Sequence, residues 1–386
     1  MFAQFAGTSL WFGGNAIAAD LQQAFSLTAA ATGALTTAVQ LGFIAGTLIF
    51  GVLSIADRFS PSRVFLACAM AGAFFNGCIT WLDGGFESLL ALRFLTGFFL
   101  AGIYPVGMKI AADWFGRDLG RALGWLVGAL VLGTAFPYLI KALGASLPWH
   151  MVVSVTSALA LIGGSLLFFT VGNGPHRNQA PKFQWSAIPH IFHSPDFRAA
   201  AFGYFGHMWE VYAMWAFTPL LLAAYNEAHG TAIPVALWSF LVIAAGSLGC
   251  VSGGYRALKW GSPRVAFGML LTSGLCCLLS PMLFQSPTWI FLSFMLVWGF
   301  SVAGDSPQFS SLVAKAAPGE YIGTALTIVN CIGFALTIVS IQLLSKIQLQ
   351  VGANWWFVLL APGAVVGLAS MSRLLKPPLS DRQAVR

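Results

Sequence analysis

Gly97-Phe98-Phe99-Leu100-Ala101-Gly102-Ile103-Tyr104-Pro105 recurs 202 residues later as Gly299-Phe300-Ser301-Val302-Ala303-Gly304-Asp305-Ser306-Pro307. A second pair stands at an offset of 201 residues. Leu53-Ser54-Ile55-Ala56-Asp57-Arg58-Phe59-Ser60-Pro61-Ser62-Arg63-Val64 is echoed by Gly254-Tyr255-Arg256-Ala257-Leu258-Lys259-Trp260-Gly261-Ser262-Pro263-Arg264-Val265. Two matches at nearly one offset mark a duplicated unit of half the chain.

The material of that unit is apolar. Hydrophobic residues make up 58% of the 386, and only 8% carry charge, against about 25% in a soluble domain. A single soluble core stops growing near 250–300 residues, so this chain has to dissolve in lipid. Barrel strands alternate apolar and polar residues, whereas here the apolar runs are continuous. They fall near 2–19, 30–54, 64–82, 88–112, 119–142 and 149–171, then near 198–223, 233–256, 264–284, 289–314, 321–345 and 353–374. A crossing helix needs about 20 residues. The reading is all-α, with 12 transmembrane helices as two pseudo-symmetric six-helix bundles, 1–171 and 198–386, joined by a polar connector, 172–197.

Charge orients the chain. With the N-terminus cytoplasmic, that side holds Arg58, Arg63, Arg117, Arg121, Arg177, Lys182, Arg198, Arg256, Lys259, Arg264, Lys315, Arg373, Lys376, Arg382 and Arg386. The other side holds Lys141 and Lys346. This bias puts both termini on the cytoplasmic side, and the absence of any N-x-S/T sequon favours a bacterial inner membrane. The bias also accounts for the net charge of +7 without nucleic acid, since a nucleic-acid patch needs clustered cations. Ala16-Ile17-Ala18 resembles a signal-peptidase site, but no Lys or Arg precedes Arg58 to form a positive n-region. The six cysteines lie in apolar runs and form no CxxC, so they read as core thiols. His190-x-x-His193 reads as polar linker. No metal site, hydrolase motif or phosphate loop is present. The chain is therefore read as neither an enzyme nor a cofactor protein.

These features resemble the major facilitator superfamily over the whole length. Asp57, Arg58 and Arg63 match that family's loop motif after its second helix, with Leu53 and Ser60 in place of two glycines. The second copy keeps Gly254, Lys259, Gly261 and Arg264, with Leu258 in place of the acid. Leu90, Arg93, Gly97 and Ala101 match its fourth-helix motif, with Thr96 at the glutamine position. The antiporter motif of the fifth helix is broken: Gly124 and Gly128 are present, but Pro comes only at 137. The resemblance implies secondary transport by alternating access, helices 1, 4, 7 and 10 around a central cavity, and Asp57 and Arg58 as a latch of the outward-facing state.

An ionisable side chain at mid-membrane costs about 2.5–3.5 kcal/mol on insertion scales and marks a pathway. Arg93 and Lys109 fall in run 4, His207 and Glu210 in run 7, and Asp305 in run 10, which are cavity helices by the resemblance. Glu210 lies roughly 18 Å into its run, and His207 shares its face three residues before. Glu210 is expected to exchange a proton at the cavity, with His207 or Arg93 beside it. Asp305 is expected to gate or to touch substrate. Its repeat partner is Ile103, so the fold itself does not require the acid. Arg93 and Lys109 either snorkel to an interface or turn inward to attract an anion. Trp11, Asn15, Trp209 and Tyr212 are candidates for an aromatic-lined pocket, and Pro105 and Pro307 for gating bends. The function expected is proton-coupled symport of a small organic anion or zwitterion by a monomer in lipid. The alternatives are efflux of amphipathic compounds and a non-transporting membrane sensor.

Overall fold

The computed structural model describes residues 1–26, 31–82, 85–115, 119–144, 147–177 and 183–375. Arg117, Lys182, Lys376, Arg382 and Arg386 lie outside the described residues. Every regular element among the described residues is helical. Twelve spans follow the apolar runs in order. Span 1 is broken into Phe2–Thr8, Gly13–Ala16 and Ala18–Ala24. Spans 2 and 3 are Ala31–Val52 and Pro61–Cys78. Span 4 is broken into Phe86–Leu100 and Tyr104–Trp114, and spans 5 and 6 are Leu119–Leu143 and Trp149–Thr170. After the short helix Ala187–His193, span 7 runs unbroken over Pro195–His229, and spans 8 and 9 over Val235–Trp260 and Ser262–Phe284. Span 10 is broken into Thr288–Gly304 and Ser306–Ala316. Span 11 is Ile322–Ile347, and span 12 joins Ala353–Leu360 to Ala361–Met371.

Among the described residues, ten of the twelve are long and apolar enough to cross a membrane on length and hydropathy alone. Span 1 falls short because its break leaves no long helix. Span 7 falls short because His207, Glu210 and its Tyr and Trp residues lower its mean hydropathy.

The packing repeats as the sequence does. Span 2 lies along span 4, and span 8 along span 10; span 3 lies along span 6. Spans 9 and 12 form the equivalent pair, as do 1 with 5 and 7 with 11. The two sets of six meet along span 5 against span 8 and span 2 against span 11. Advancing either pairing by six spans gives the other, as a pseudo-two-fold requires.

Small residues set these approaches. A Cβ on Gly97 would collide with the carbonyl of Val39 on span 2, and one on Gly299 with that of Val242 on span 8. The first glycine of the repeated segment thus does the same job twice: it lets two helix backbones touch. At the contact between the sets, Cβ positions on Gly124 and Gly128 fall 3.1 Å from the carbonyl oxygens of Cys250 and Ser247. The other repeated feature is the break. Ile103 and Asp305, one repeat apart, both precede the second helix of their span, and Pro105 and Pro307 stand in its first turn.

Candidate functional site

A cavity of about 940 Å³ lies between the two sets. Its walls come from the ends of spans 2 and 8, the starts of spans 5 and 11, and the second halves of spans 4 and 10. Pro105 borders it, and its charged lining residues are Asp57, Lys109 and Lys315. It opens toward the connector, whose Phe183 also lines it. A chamber of about 30 Å³ continues from its head, sharing Ser310. Tyr104, Tyr204, His207, Tyr212, Trp215 and Ser306 face the chamber.

Beyond the chamber, rings from both sets close the path. Phe43 of span 2 and Phe334 of span 11 have centroids 4.4 Å apart. Trp11 packs on each of them, at 4.8 and 5.7 Å. Tyr212 joins Trp11 at 5.5 Å and Trp215 at 5.3 Å. Further out, Gln342 Nε2 donates to Thr37 Oγ1 at 2.7 Å, and Lys141 pairs with Asp20 at 2.7 Å. The cavity is therefore open at one end and closed at the other.

The rare ionisable groups of the sequence fall into three separate places. At the head of the chamber, His207 Nδ1 lies 2.8 Å from Asp305 Oδ1, with both side chains buried. Neither Asp305 oxygen has an aligned hydrogen bond among the described residues, so the approach is an electrostatic contact. His207 Nε2 is 2.9 Å from Ser306 Oγ. Asp305 is thus matched to a histidine, and the break in span 10 is what lets it leave its helix face.

Glu210 requires a correction. The sequence reading turns it toward the central cavity, but it lines neither cavity. It is fully buried behind the chamber wall, accepting from Trp298 Nε1 at 2.7 Å and from Ser273 Oγ at 3.0 Å. One turn of helix separates it from His207, and that rotation is enough to direct it between spans 9 and 10.

Arg93 requires a second correction. It neither snorkels nor reaches an acid: it is fully buried among neutral acceptors. Nη1 donates to Leu10 O at 3.1 Å and to Asn76 Oδ1 at 3.2 Å, and Nη2 donates to Trp11 O. These carbonyls are exposed by the break in span 1, where helix geometry leaves them without partners. Gly14 makes room, since a Cβ there would stand 3.1 Å from Arg93 Nε. Asn15, read as a pocket residue, instead donates from Nδ2 to Thr36 Oγ1 at 2.6 Å and ties span 1 to span 2. Trp209 also turns away from the cavity: its Nε1 donates to Leu359 O at 3.2 Å, and its ring packs on Gly363 of span 12.

Lys109 pairs with Asp57 at 2.8 Å and approaches Asp113 at 3.8 Å, not Glu210 or Asp305. Arg177, at the start of the connector, donates to the carbonyls of Asp57 and Phe59 at 3.3 and 2.9 Å. The loop after span 2 is therefore tied to span 4 and to the connector. Arg58 on that loop and Arg63 in the first turn of span 3 are exposed.

Several site residues escaped the sequence reading. Ser306 and Ser310 carry no signal beyond sharing the segment after the repeated break. Tyr204, whose hydroxyl donates to Asn330 at 3.0 Å, and Trp215 were legible only as members of an aromatic run. Trp298 and Ser273 could be named only once Glu210 had been placed.

Two sets of six apolar helices, related by repeat and enclosing a cavity with buried ionisable groups at its head, define the class: a membrane-spanning protein of the two-bundle helical kind. The sequence model of the Major Facilitator Superfamily matches residues 1–341, and the chain belongs to that family. A Haemophilus influenzae protein named for metabolite transport is 34% identical over 34% of this chain and 32% of its own length. The 3-(3-hydroxyphenyl)propionate transporter of Escherichia coli K12 is 29% identical over 38% of this chain and 36% of its own. The chain thus matches only about a third of the length of these relatives. The human organic anion transporter MFSD10 shares the fold, with a TM-score of 0.69 at 16% identity, over 96% of this chain and 97% of that one.

Proposed function

We propose that this chain is a secondary active transporter of the bacterial inner membrane that takes up a small organic anion or zwitterion together with protons. The observation that carries the reading is the His207–Asp305 pair, buried at the closed head of a cavity that lies between the two six-helix sets. Free energy is lost when an acid and an imidazole are buried in a membrane protein, and a pair placed at the end of a solute path can recover it in coupling. The units 1–171 and 198–386 rock about the cavity, with 172–197 as a cytoplasmic connector and both termini on the same side. The positive-inside bias then makes the open end cytoplasmic.

Lys109 and Lys315 against Asp57 give the cavity lining a positive excess, which favours an anion. The relative named for 3-(3-hydroxyphenyl)propionate offers one such solute. The relative named for D-galactonate offers a second anion, whereas another is named for triacylglyceride, a neutral lipid, so the lining carries the choice of an anion. Asp57, Lys109 and Arg177 hold the loop after span 2 against span 4 in the state open to the connector. Arg93 and Glu210 are given positioning roles in the two halves, and Pro105 and Pro307 are the bends about which spans 4 and 10 flex.

The test is uptake into proteoliposomes under an imposed pH gradient. Accumulation of 3-(3-hydroxyphenyl)propionate driven by an alkaline interior, and lost in Asp305→Asn, is expected. Equal accumulation without the gradient, or an Asp305→Asn protein that concentrates the solute as well as the parent, refutes proton coupling at this pair.

A further inference from the structure

At the head of the chamber a carboxylate, an imidazole and a hydroxyl stand in line. Asp305 Oδ1 is 2.8 Å from His207 Nδ1, and His207 Nε2 is 2.9 Å from Ser306 Oγ. Asp305 is sealed from solvent and His207 almost so, whereas Ser306 is half-buried and faces the chamber. A change of charge on the imidazole therefore reaches the solute through that hydroxyl as well as from the ring itself, which also lines the chamber.

The route follows from donor and acceptor rules. In neutral His207, the negative charge of the carboxylate 2.8 Å away favours the tautomer with its proton on Nδ1, and Nε2 has only a lone pair. Nε2 then accepts the Ser306 O–H, so the serine shows the chamber only oxygen lone pairs. When a proton arrives, it binds Nε2, and both ring nitrogens become donors. Nε2–H now donates to Ser306 Oγ, and the hydroxyl hydrogen is released toward the chamber. Asp305 stays ionised as the counter-charge, so one proton is gained and no other bond changes.

We propose that Ser306 is a substrate-binding hydroxyl whose polarity is reversed by protonation of His207, so that the chamber takes a carboxylate oxygen only when the proton is bound. This rests on the proton-driven uptake proposed above and names its solute class: an organic carboxylate with a flat apolar body. A second donor points the same way. Trp215 lines the chamber, and its Nε1 is buried with no hydrogen-bond partner among the described residues. About 30 Å³ holds a carboxylate group in place of one or two waters. The body then lies toward the larger cavity, past Ser310, which the two spaces share.

The other titratable groups near His207 are accounted for. From span 7, Tyr204 stacks obliquely at 6.1 Å, and Glu210 is turned away onto Trp298 and Ser273. From span 8, Cys250 is committed to Ala303 O. From span 9, Cys276 and Cys277 are buried beside Glu210. From span 4, Tyr104 faces the chamber.

The test is calorimetric titration of the purified full chain with 3-(3-hydroxyphenyl)propionate at about pH 5.5 and about pH 8, which bracket the usual range of histidine. A hydrogen bond to a charged group supports a loss of about 10-fold or more. The parent should bind at least about 10-fold more weakly at the higher pH. Ser306→Ala should lose most of that advantage at the lower pH and so show a flatter profile. Ser306→Thr, which keeps the hydroxyl, should restore the slope. A Ser306→Ala protein with the parent's pH slope overturns the proposal, even if a pH gradient still drives uptake. The absence of heat at either pH in the parent overturns the carboxylate assignment. Failure of the gradient to drive uptake of the same solute in proteoliposomes is the separate result that removes the underlying reading.

Discussion

Replacing Arg93 with leucine distinguishes a coupling residue from a positioning one. The guanidinium satisfies Leu10 O, Trp11 O and Asn76 Oδ1. Leucine fills much of the volume but leaves three buried acceptors empty. Each unsatisfied group costs about 1–3 kcal/mol, which gives roughly 3–9 kcal/mol before relaxation. Removing a cation that has no acid beside it offsets part of this, because burying a charge is itself costly. A net loss of about 3–5 kcal/mol is expected, the usual size for breaking a buried charged contact. In a chain of this size that corresponds to a fall in melting midpoint on the order of 4–6 °C. A thiol-reactive dye reads the midpoint well, since Cys68, Cys250, Cys276 and Cys277 are buried and react on unfolding. Arg93→Lys, whose ammonium reaches fewer of the three acceptors, should fall between leucine and the parent. The reasoning is refuted by an Arg93→Leu protein that melts with the parent but no longer couples uptake to the pH gradient. That pattern would return Arg93 to the proton path.

Two further outcomes follow from the packing. Gly97→Val and Gly299→Val should both fail to yield folded protein by size-exclusion chromatography, because each Cβ meets a carbonyl oxygen of the neighbouring helix. A well-behaved variant at either position would show that the helices can separate at little cost. Thr37→Cys combined with Gln342→Cys, joined by a short bifunctional thiol reagent, should hold the closed end shut, since their parent side chains are hydrogen-bonded across spans 2 and 11. Solute flux in proteoliposomes should stop; flux at the uncrosslinked rate would refute alternating closure at this contact.

Much of the architecture is legible in residues alone. Continuous apolar runs place twelve helices to within a few residues, because only a helix satisfies its own backbone in lipid. The Gly97 and Gly299 segments reveal the repeat, and the structure explains why those letters recur: they are the helix contacts and the breaks. Rarity of charge also singled out Arg93, Lys109, His207, Glu210 and Asp305, and each of them has a specific partner.

Partnership is what the sequence alone could not decide. His207 and Glu210 share a helix face in a wheel projection, yet one meets Asp305 at the chamber and the other meets Trp298 behind it. A difference of three residues is a rotation of tens of degrees, and at a helix junction that changes which neighbour a side chain meets. Arg93 was legible as a costly buried cation. Its acceptors are carbonyls freed by a break in span 1, and backbone groups leave no mark in the letters. Ser306 became a site residue only through the imidazole above it. Sequence by itself determined that this chain crosses lipid in two related halves, because hydropathy and repetition are properties of residues taken singly or in order. Which ionisable group faces the solute path was decided only in the tertiary structure, because that depends on the rotation of one helix against two others.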